Sequence, residues 1–293
     1  MDIRFLQSLV AVVETGSIVA AARRERLTPA AVSQRIQALE RTLGCPLLVR
    51  GAHTARPTEA CLSLLPRARA LVRDASLLVD DLDASGLSGD LRVGAISTVL
   101  TGLVPVVLGR LAERAPSLKL RLTPGTSEHL YDQMLAGQLD TAILVEPPFA
   151  LPKSLNSVRI SREPLVYLTQ DRVAPADIVD HARNTPFIRY DPLSWGGRIV
   201  AGYMDKAGLH PDVRCDMDAL ETIAILVSKG IGSSLVPQWP GLIANGFNIV
   251  PVPDAQAHQR SLSFLAPSVP QKPNAIRLLR DLLVEAANCR TGC

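Results

Sequence analysis

The sequence predicts an α/β protein: a short N-terminal winged helix-turn-helix, a long linker helix, and a larger body of alternating strands and helices. Three observations carry this reading. At 293 residues the chain exceeds one typical domain and suits two. Apolar residues make up 47% and charged residues 20%, enough to bury substantial cores and outside the range of disordered chains. The hydrophobic pattern also changes character, being helical up to about Asp83 and alternating between strand and helix from Asp90. The parts are expected at 1–58, 59–88 and 89–293.

The first segment places Ile3, Leu6, Leu9, Val10 and Val13 on one helical face and stops at Gly16. Ser17 is positioned to cap a second, short helix through Ala20-Ala21-Ala22. Thr28 can cap a third helix, with Pro29 in its first turn, where a missing N–H costs nothing. That helix is expected to run to Leu43 and end at Gly44. Val32, Ile36, Leu39 and Leu43 share one side of it, while Ala30, Gln34, Gln37 and Arg41 lie opposite with Ser33 on the flank. Small residues and amides on one face suit entry into a major groove, where amides bond base edges. An ordinary surface helix with a polar face fits this segment, taken alone, equally well.

The neighbouring pieces favour the groove. Cys45 to Arg50 reads as a strand, Gly51-Ala52-His53-Thr54 as a turn, and Ala55-Arg56-Pro57-Thr58 as the return into a fourth helix. Such a hairpin, with Arg50, His53 and Arg56 at its edges, suits a wing that touches phosphates or the minor groove. Charge agrees: residues 1–75 hold eleven Arg, no Lys and six acids, net +5, and the remainder is net −2. A basic head on a slightly acidic body fits a nucleic-acid-binding module joined to a sensing or catalytic body, though arginine also outnumbers lysine throughout.

In order and spacing, Phe5-Leu6, Glu14-x-Gly16-Ser17, Ala20-Ala21-Ala22, Leu27-Thr28, Ala31-Val32-Ser33-Gln34-x-Ile36-x-x-Leu39-Glu40, Leu43-Gly44, Leu47-Leu48-x-Arg50 and Pro57-Thr58-Glu59-Ala60 resemble the signature of LysR-type transcriptional regulators. The resemblance implies sequence-specific binding of double-stranded promoter or operator DNA, with RNA polymerase as a further partner. Many members begin the recognition helix with a Ser-Gln-Pro type of sequence, where this chain has Thr28-Pro29-Ala30. Base contact is therefore expected from Ser33 and Gln34 with Ala30, and phosphate contact from Arg35. Ser17, Thr28, Pro29, Gln37, Arg50, His53 and Arg56 complete the expected DNA contacts.

In the fourth helix Cys61, Leu64, Ala68, Leu71, Ala75, Leu78 and Leu82 recur at alternating spacings of three and four, a heptad seam that pairs helices. Pro66 predicts a local kink. The same face could instead lie on its own domain. The resemblance implies a dimer through this helix, and tetramers beyond it. Pairing two modules at fixed separation makes the second DNA contact intramolecular and adds roughly 10²–10⁴ in avidity.

From Asp90, strands are expected at Leu91–Ile96, Leu118–Leu122, Thr141–Val145, Leu165–Thr169, Phe187–Tyr190, Val213–Cys215, Ser233–Val236 and Leu262–Ala266. Helices are expected at Leu103–Ala115, Glu128–Ala136, Arg198–Ala207, Ala219–Lys229 and Ala275–Ala287. Repeated βαβ units imply parallel sheets covered by helices. This order, with Gly137-x-Leu139-Asp140 and Gly230-x-Gly232, resembles the periplasmic-binding-protein-like sensor of LysR-type proteins. The resemblance implies two crossings between subdomains, near Ile160–Glu163 and Leu265–Pro267. Subdomain I would then hold about 89–161 and 267–293, and subdomain II about 162–266.

In open α/β sheets ligands sit beyond the carboxyl ends of strands, near helix N-termini. The turns there hold Ser97, Thr98, Thr126, Ser127 and Glu146, with Arg189, Tyr190 and Ser194 facing them from the second subdomain. Hydroxyls and helix N-termini favour an anionic effector such as a carboxylate, and Glu146 favours one that also carries an amine or hydroxyl. Simple capping of helices explains the hydroxyls equally well.

Other functions find little support. The five His are scattered, and no Gly-x-Ser-x-Gly, His-Glu-x-x-His or Gly-Lys-Ser/Thr phosphate loop occurs, so no catalytic residue is expected. Cys45, Cys61, Cys215, Cys289 and Cys293 contain no Cys-x-x-Cys pair, so neither a metal site nor a disulfide framework is expected, and no cofactor is implied. The N-terminus lacks the features of a secretory signal and no apolar run approaches a membrane span, so a cytoplasmic protein without membrane contact is expected. A free-standing solute-binding protein is the other reading of the second half, opposed by the basic head.

Overall fold

The computed structural model describes residues 2–50, 54–80 and 85–288, with the side chains of 50 and 76–80 outside that description. The described residues form two compact units, an N-terminal one that includes the long helix and a C-terminal one that begins at Ser85.

The N-terminal unit opens with α1 (Ile3–Thr15), capped by Asp2 and closed by Gly16 in the left-handed conformation at φ 67°. Helix α2 (Ile18–Glu25) starts at Ser17, whose side chain accepts from the Ala20 N–H, and α3 (Pro29–Leu43) starts at Thr28 in the same way, through the Ala31 N–H at 3.2 Å. Strands β1 (Leu48–Arg50) and β2 (Ala55–Pro57) pair antiparallel as the expected hairpin. Glu40 of α3 fixes its base by accepting from the Leu47 and Leu48 N–H groups at 2.8 and 3.2 Å. Leu6, Leu9, Val12, Ala21, Val32, Ile36 and Leu39 are buried together at the centre.

Helix α4 (Glu59–Asp80) runs through Pro66 without interruption. Its seam is not left wholly for a second chain. Cys61 and Ala68 are buried in the N-terminal core and Leu64 packs on it, whereas Leu71 is 41% exposed. The first half of the period-seven face is thus used within the chain, because α1 offers an apolar surface closer than any partner. The side chain of Leu78, and Leu82 altogether, lie outside the described residues.

The C-terminal unit contains two cores. In the first, β3 (Gly89–Ala95) is followed by a short α5 (Ser97–Gly102), α6 (Val104–Arg114), β4 (Leu118–Pro124), α7 (Ser127–Leu135) and β5 (Thr141–Val145). Strand β3 pairs in parallel with both β4 and β5, as βαβ units require. A long β6 (Leu155–Thr169) then leaves this subdomain and enters the second. There lie α8 (Ile178–Arg183), β7 (Phe187–Tyr190), α9 (Trp195–Lys206), β8 (Val213–Met217), α10 (Leu220–Ser228), β9 (Ser234–Pro237) and β10 (Asn248–Pro251). Strand β11 (Gln259–Pro267) returns, and α11 (Pro273–Asn288) closes the first core.

Two expectations are corrected. The sheets are mixed, since β6 pairs antiparallel with β9, β10 and β11, and β11 pairs antiparallel with β5. A strand that leaves a subdomain and a strand that comes back must run in opposite directions. The return also comes earlier than Leu265–Pro267. Strand β11 already pairs with β5 at Leu262, and Leu262, Phe264 and Leu265 are buried in the first core, so the crossing lies at Gln259–Ser261.

Candidate nucleic-acid interface and effector cleft

Helix α3 divides by solvent access as its periodicity predicts, except at its C-terminal end, where Leu43 is exposed. Val32, Ile36 and Leu39 are fully buried, while Thr28, Pro29, Ala30, Gln34, Gln37 and Arg41 are exposed and Ser33 is half-buried. Arg56 is exposed on β2, close in sequence to Arg50, of which only the backbone is described, and to His53, which lies outside the described residues. Ser17 is half-buried and caps α2.

Arg35 is not on this surface. Its guanidinium turns inward, donating to Ser8 Oγ at 3.2 Å and lying 3.8 Å from Glu25, while Ser8 itself donates to Glu25 at 2.6 Å. One turn from the amide face, its helical position is the one that meets α1 and α2, so Arg35 braces the three helices instead of reaching a phosphate.

In the C-terminal unit the two subdomains enclose a cleft of about 370 Å³. Of the residues expected there, Ser97, Thr98, Thr126, Ser127, Tyr190 and Ser194 line it. Their hydroxyls are already half engaged. Thr126 accepts from the His129 N–H at 3.3 Å, Ser127 from the Val145 N–H at 3.2 Å, and Ser194 from the Gly197 N–H at 3.0 Å. Ser97 donates across to Glu221 at 2.9 Å. At Thr126 capping and lining coincide, because a hydroxyl that accepts from a helix N–H keeps its own hydrogen for a further acceptor, whereas Ser194 already donates to the Asp191 carbonyl at 2.9 Å.

Two expected residues are elsewhere. Glu146 pairs with Arg159 at 3.1 Å and Arg189 with Asp216 at 2.6 Å, both outside the cleft lining. Arg189 faces Asp216 on the neighbouring β8, and Glu146, just after β5, reaches Arg159 on β6 with β11 between them, pairings that sequence order did not display.

The residues that the sequence reading missed form the cleft floor. Arg260 on β11 stands opposite Glu163 on β6 and is 1% exposed. Its Nε and Nη2 reach one oxygen, Glu163 Oε2, at 2.7 and 2.6 Å, and Nη2 also donates to Thr98 Oγ1 at 3.0 Å. The other Glu163 oxygen, Oε1, is buried with no hydrogen-bond partner. Burial pushes the Glu163 carboxyl above its ordinary value, against the opposing pull of the Arg260 charge. Tyr190 and Asp218 also line the cleft, and burial raises both of their pKa values. The Tyr190 hydroxyl rests on the start of α9, where a Cβ at Gly196 would meet it at 2.2 Å, so only glycine admits this approach. Trp195 beside it packs edge-on against Phe149 and lies 5.9 Å from Tyr131, both from the first subdomain. The pairing of Glu163 with Arg260 is set by the register of β6 against β11, which the linear order does not display.

Comparison with known proteins places this geometry. Residues 84–288 match the LysR substrate binding domain, and residues 3–62 match the bacterial regulatory helix-turn-helix protein of the lysR family. The chain is 31% identical over 250 residues to the HTH-type transcriptional regulator IlvR of Caulobacter vibrioides, covering 81% of this chain and 82% of that one. It is 29% identical over 267 residues to the HTH-type transcriptional regulator TtuA of Agrobacterium vitis, covering 86% of each. Among solved structures, full-length CbnR complexed with its target DNA superimposes with a TM-score of 0.68 at 22% identity, covering 99% of both chains, which shows a shared fold. No helix among the described residues is long and apolar enough to cross a membrane. With both family models matched in chain order and full-length relatives on either side of 30% identity, the chain belongs to the LysR family of helix-turn-helix transcriptional regulators, a family of regulators and not of enzymes.

Proposed function

We propose that this protein binds specific promoter or operator DNA in the cytoplasm through the exposed face of α3 and the β1–β2 wing. The observation that carries this is the division of α3 itself: Val32, Ile36 and Leu39 of its apolar side are fully buried while Ala30, Gln34 and Gln37 face solvent beside Thr28 and Pro29. Ser33 and Gln34 read base edges, Ala30 allows close approach, and Arg41, Arg50, His53 and Arg56 supply positive charge toward phosphates. Ser17 and Thr28, whose side chains cap α2 and α3, set the helix N-termini toward the backbone. The resemblance in fold to a DNA-bound relative supports the same docking.

A dimer through α4 supplies the second module, with Leu71 of the seam exposed on that helix to receive a partner, and tetramers extend it. An effector bearing an acidic group occupies the cleft between the subdomains and biases their relative arrangement. A coupling of about 1–3 kcal/mol is enough to change DNA bending or contact with RNA polymerase without releasing the DNA.

The test selects binding sites from a pool of random duplexes and then compares selected with random DNA. Gln34→Ala is expected to lose about 1–3 kcal/mol on the selected site, leaving the salt-dependent affinity for random DNA intact. Equal loss on both would return Gln34 to a scaffolding role and overturn the assignment.

A further inference from the structure

The cleft floor has more negative charge than an effector that is only anionic would tolerate. Asp218 and Glu128 both line it, and the single cation in its lining, Arg260, is already paired with Glu163 directly behind it. Counting Glu163, two carboxylates remain in excess. Glu128 Oε1 and Glu163 Oε1 are both buried without a hydrogen-bond partner. A ligand carrying only a carboxylate would bring a third uncompensated negative charge into a partly desolvated space, and like charges there repel strongly.

The first subdomain's wall supplies what a carboxylate needs. The hydroxyls of Thr98, Thr126 and Ser127 accept from Arg260 or from backbone N–H groups, so each still has a hydrogen to donate. Thr126 and Ser127 stand at the start of α7, whose first N–H groups have no partner within the helix. The cleft therefore offers hydroxyl donors from the first subdomain and, from the second, the Asp218 carboxylate, across a volume of about 370 Å³ that suits a small ligand.

We infer that the effector is a small zwitterion of the α-amino acid class, its carboxylate held by Thr98, Thr126, Ser127 and Arg260 and its ammonium by Asp218. This rests on the cleft being the effector site and narrows the acidic effector proposed above to one that also carries a cationic nitrogen. Arg260 links the two halves of the site: it lies on a crossing strand, reaches Thr98 of the first subdomain, and faces Tyr190 of the second. A carboxylate that draws on the Arg260 charge weakens its hold on Glu163 at the point where the subdomains hinge.

Full-length protein is titrated with the twenty L-amino acids, their deaminated acids and their decarboxylated amines, following Trp195 fluorescence in a Trp239→Phe background and the melting temperature. At least one amino acid is expected to saturate and to bind roughly thirtyfold or more tightly than both its acid and its amine, the loss expected when one partner of a desolvated charge pair is removed. Asp218→Asn is expected to erase that advantage over the acid, leaving the acid's affinity unchanged or improved. The comparison of acid with amino acid on the unaltered protein needs no variant, so a folding defect in Asp218→Asn does not decide the matter.

The inference is overturned if acids bind as tightly as amino acids, or if nothing in the panel saturates. The two readings separate through Thr126→Trp, which fills the cleft. If that variant abolishes binding of an acid that matches its amino acid, the cleft remains the effector site and only the zwitterion fails. If ligands raise the melting temperature equally in Thr126→Trp, the cleft itself is the wrong site.

Discussion

Replacing Arg260 by Met removes the cation from a carboxylate that is 2% exposed and whose second oxygen is already without a partner. Both Glu163 oxygens would then be buried unpaired. Breaking a buried pair from one side costs about 3–5 kcal/mol, and losing the 3.0 Å bond to Thr98 adds to it. Against a total stability of roughly 5–15 kcal/mol this is a large fraction. At about 2–4 °C per kcal/mol for a domain of this size, the melting temperature should fall by roughly 6–20 °C. Glu163→Leu strands the guanidinium and should cost a similar amount. The double variant Arg260→Met/Glu163→Leu, which leaves apolar side chains of comparable volume, should recover most of the loss, since well-packed apolar replacements of buried ion pairs are often neutral or stabilising. The assay is chemical denaturation of the three variants, analysed as a double-mutant cycle. If the single losses simply add in the double variant, the pair is not an energetic unit and the description of the cleft floor is wrong. The double variant should nevertheless lose effector response, because Arg260 lines the cleft. A pair that apolar residues could replace in the fold is then explained by its place in the site.

Two further outcomes follow from the same floor. Gly196→Ala places a Cβ 2.2 Å from the Tyr190 hydroxyl, so either Tyr190 or the start of α9 must move. The expected cost is about 1–3 kcal/mol in unfolding experiments, together with weaker effector binding by Trp195 fluorescence. Asp218→Asn should stabilise the ligand-free protein at neutral pH. Burial raises the folded-state pKa of Asp218 above its ordinary 3.8, so its ionisation opposes folding as pH rises from 3.8 through the folded value. Melting curves of the two proteins should converge below about pH 4, where both states of the wild type are protonated. A gap that persists there would assign the effect to packing instead of charge.

The N-terminal unit was legible because its rules are local. Thr28 before Pro29, the 3.6-residue recurrence of Val32, Ile36 and Leu39, and the glycines at 16 and 44 with φ near 68° each act within a few residues. Much of the order of strands and helices in the larger unit was legible for the same reason, but α5, α8, β10 and the first two thirds of β6 were not expected. What the linear order left open is what long-range pairing decides. The first half of the Cys61–Leu82 seam packs on α1 within the chain, a matter of which apolar face lies nearest. The charged candidates sorted by partners distant in sequence or on other elements: Arg189 went to Asp216, Glu146 to Arg159, and Arg35 turned inward to Ser8 and Glu25. Arg260 and Glu163 lie 97 positions apart in sequence and meet only because two crossing strands run antiparallel in one register. Periodicity records what a residue's own helix or strand requires. Which charge ends up opposite which is fixed by sheet register and burial, and those exist only once the chain has folded on itself.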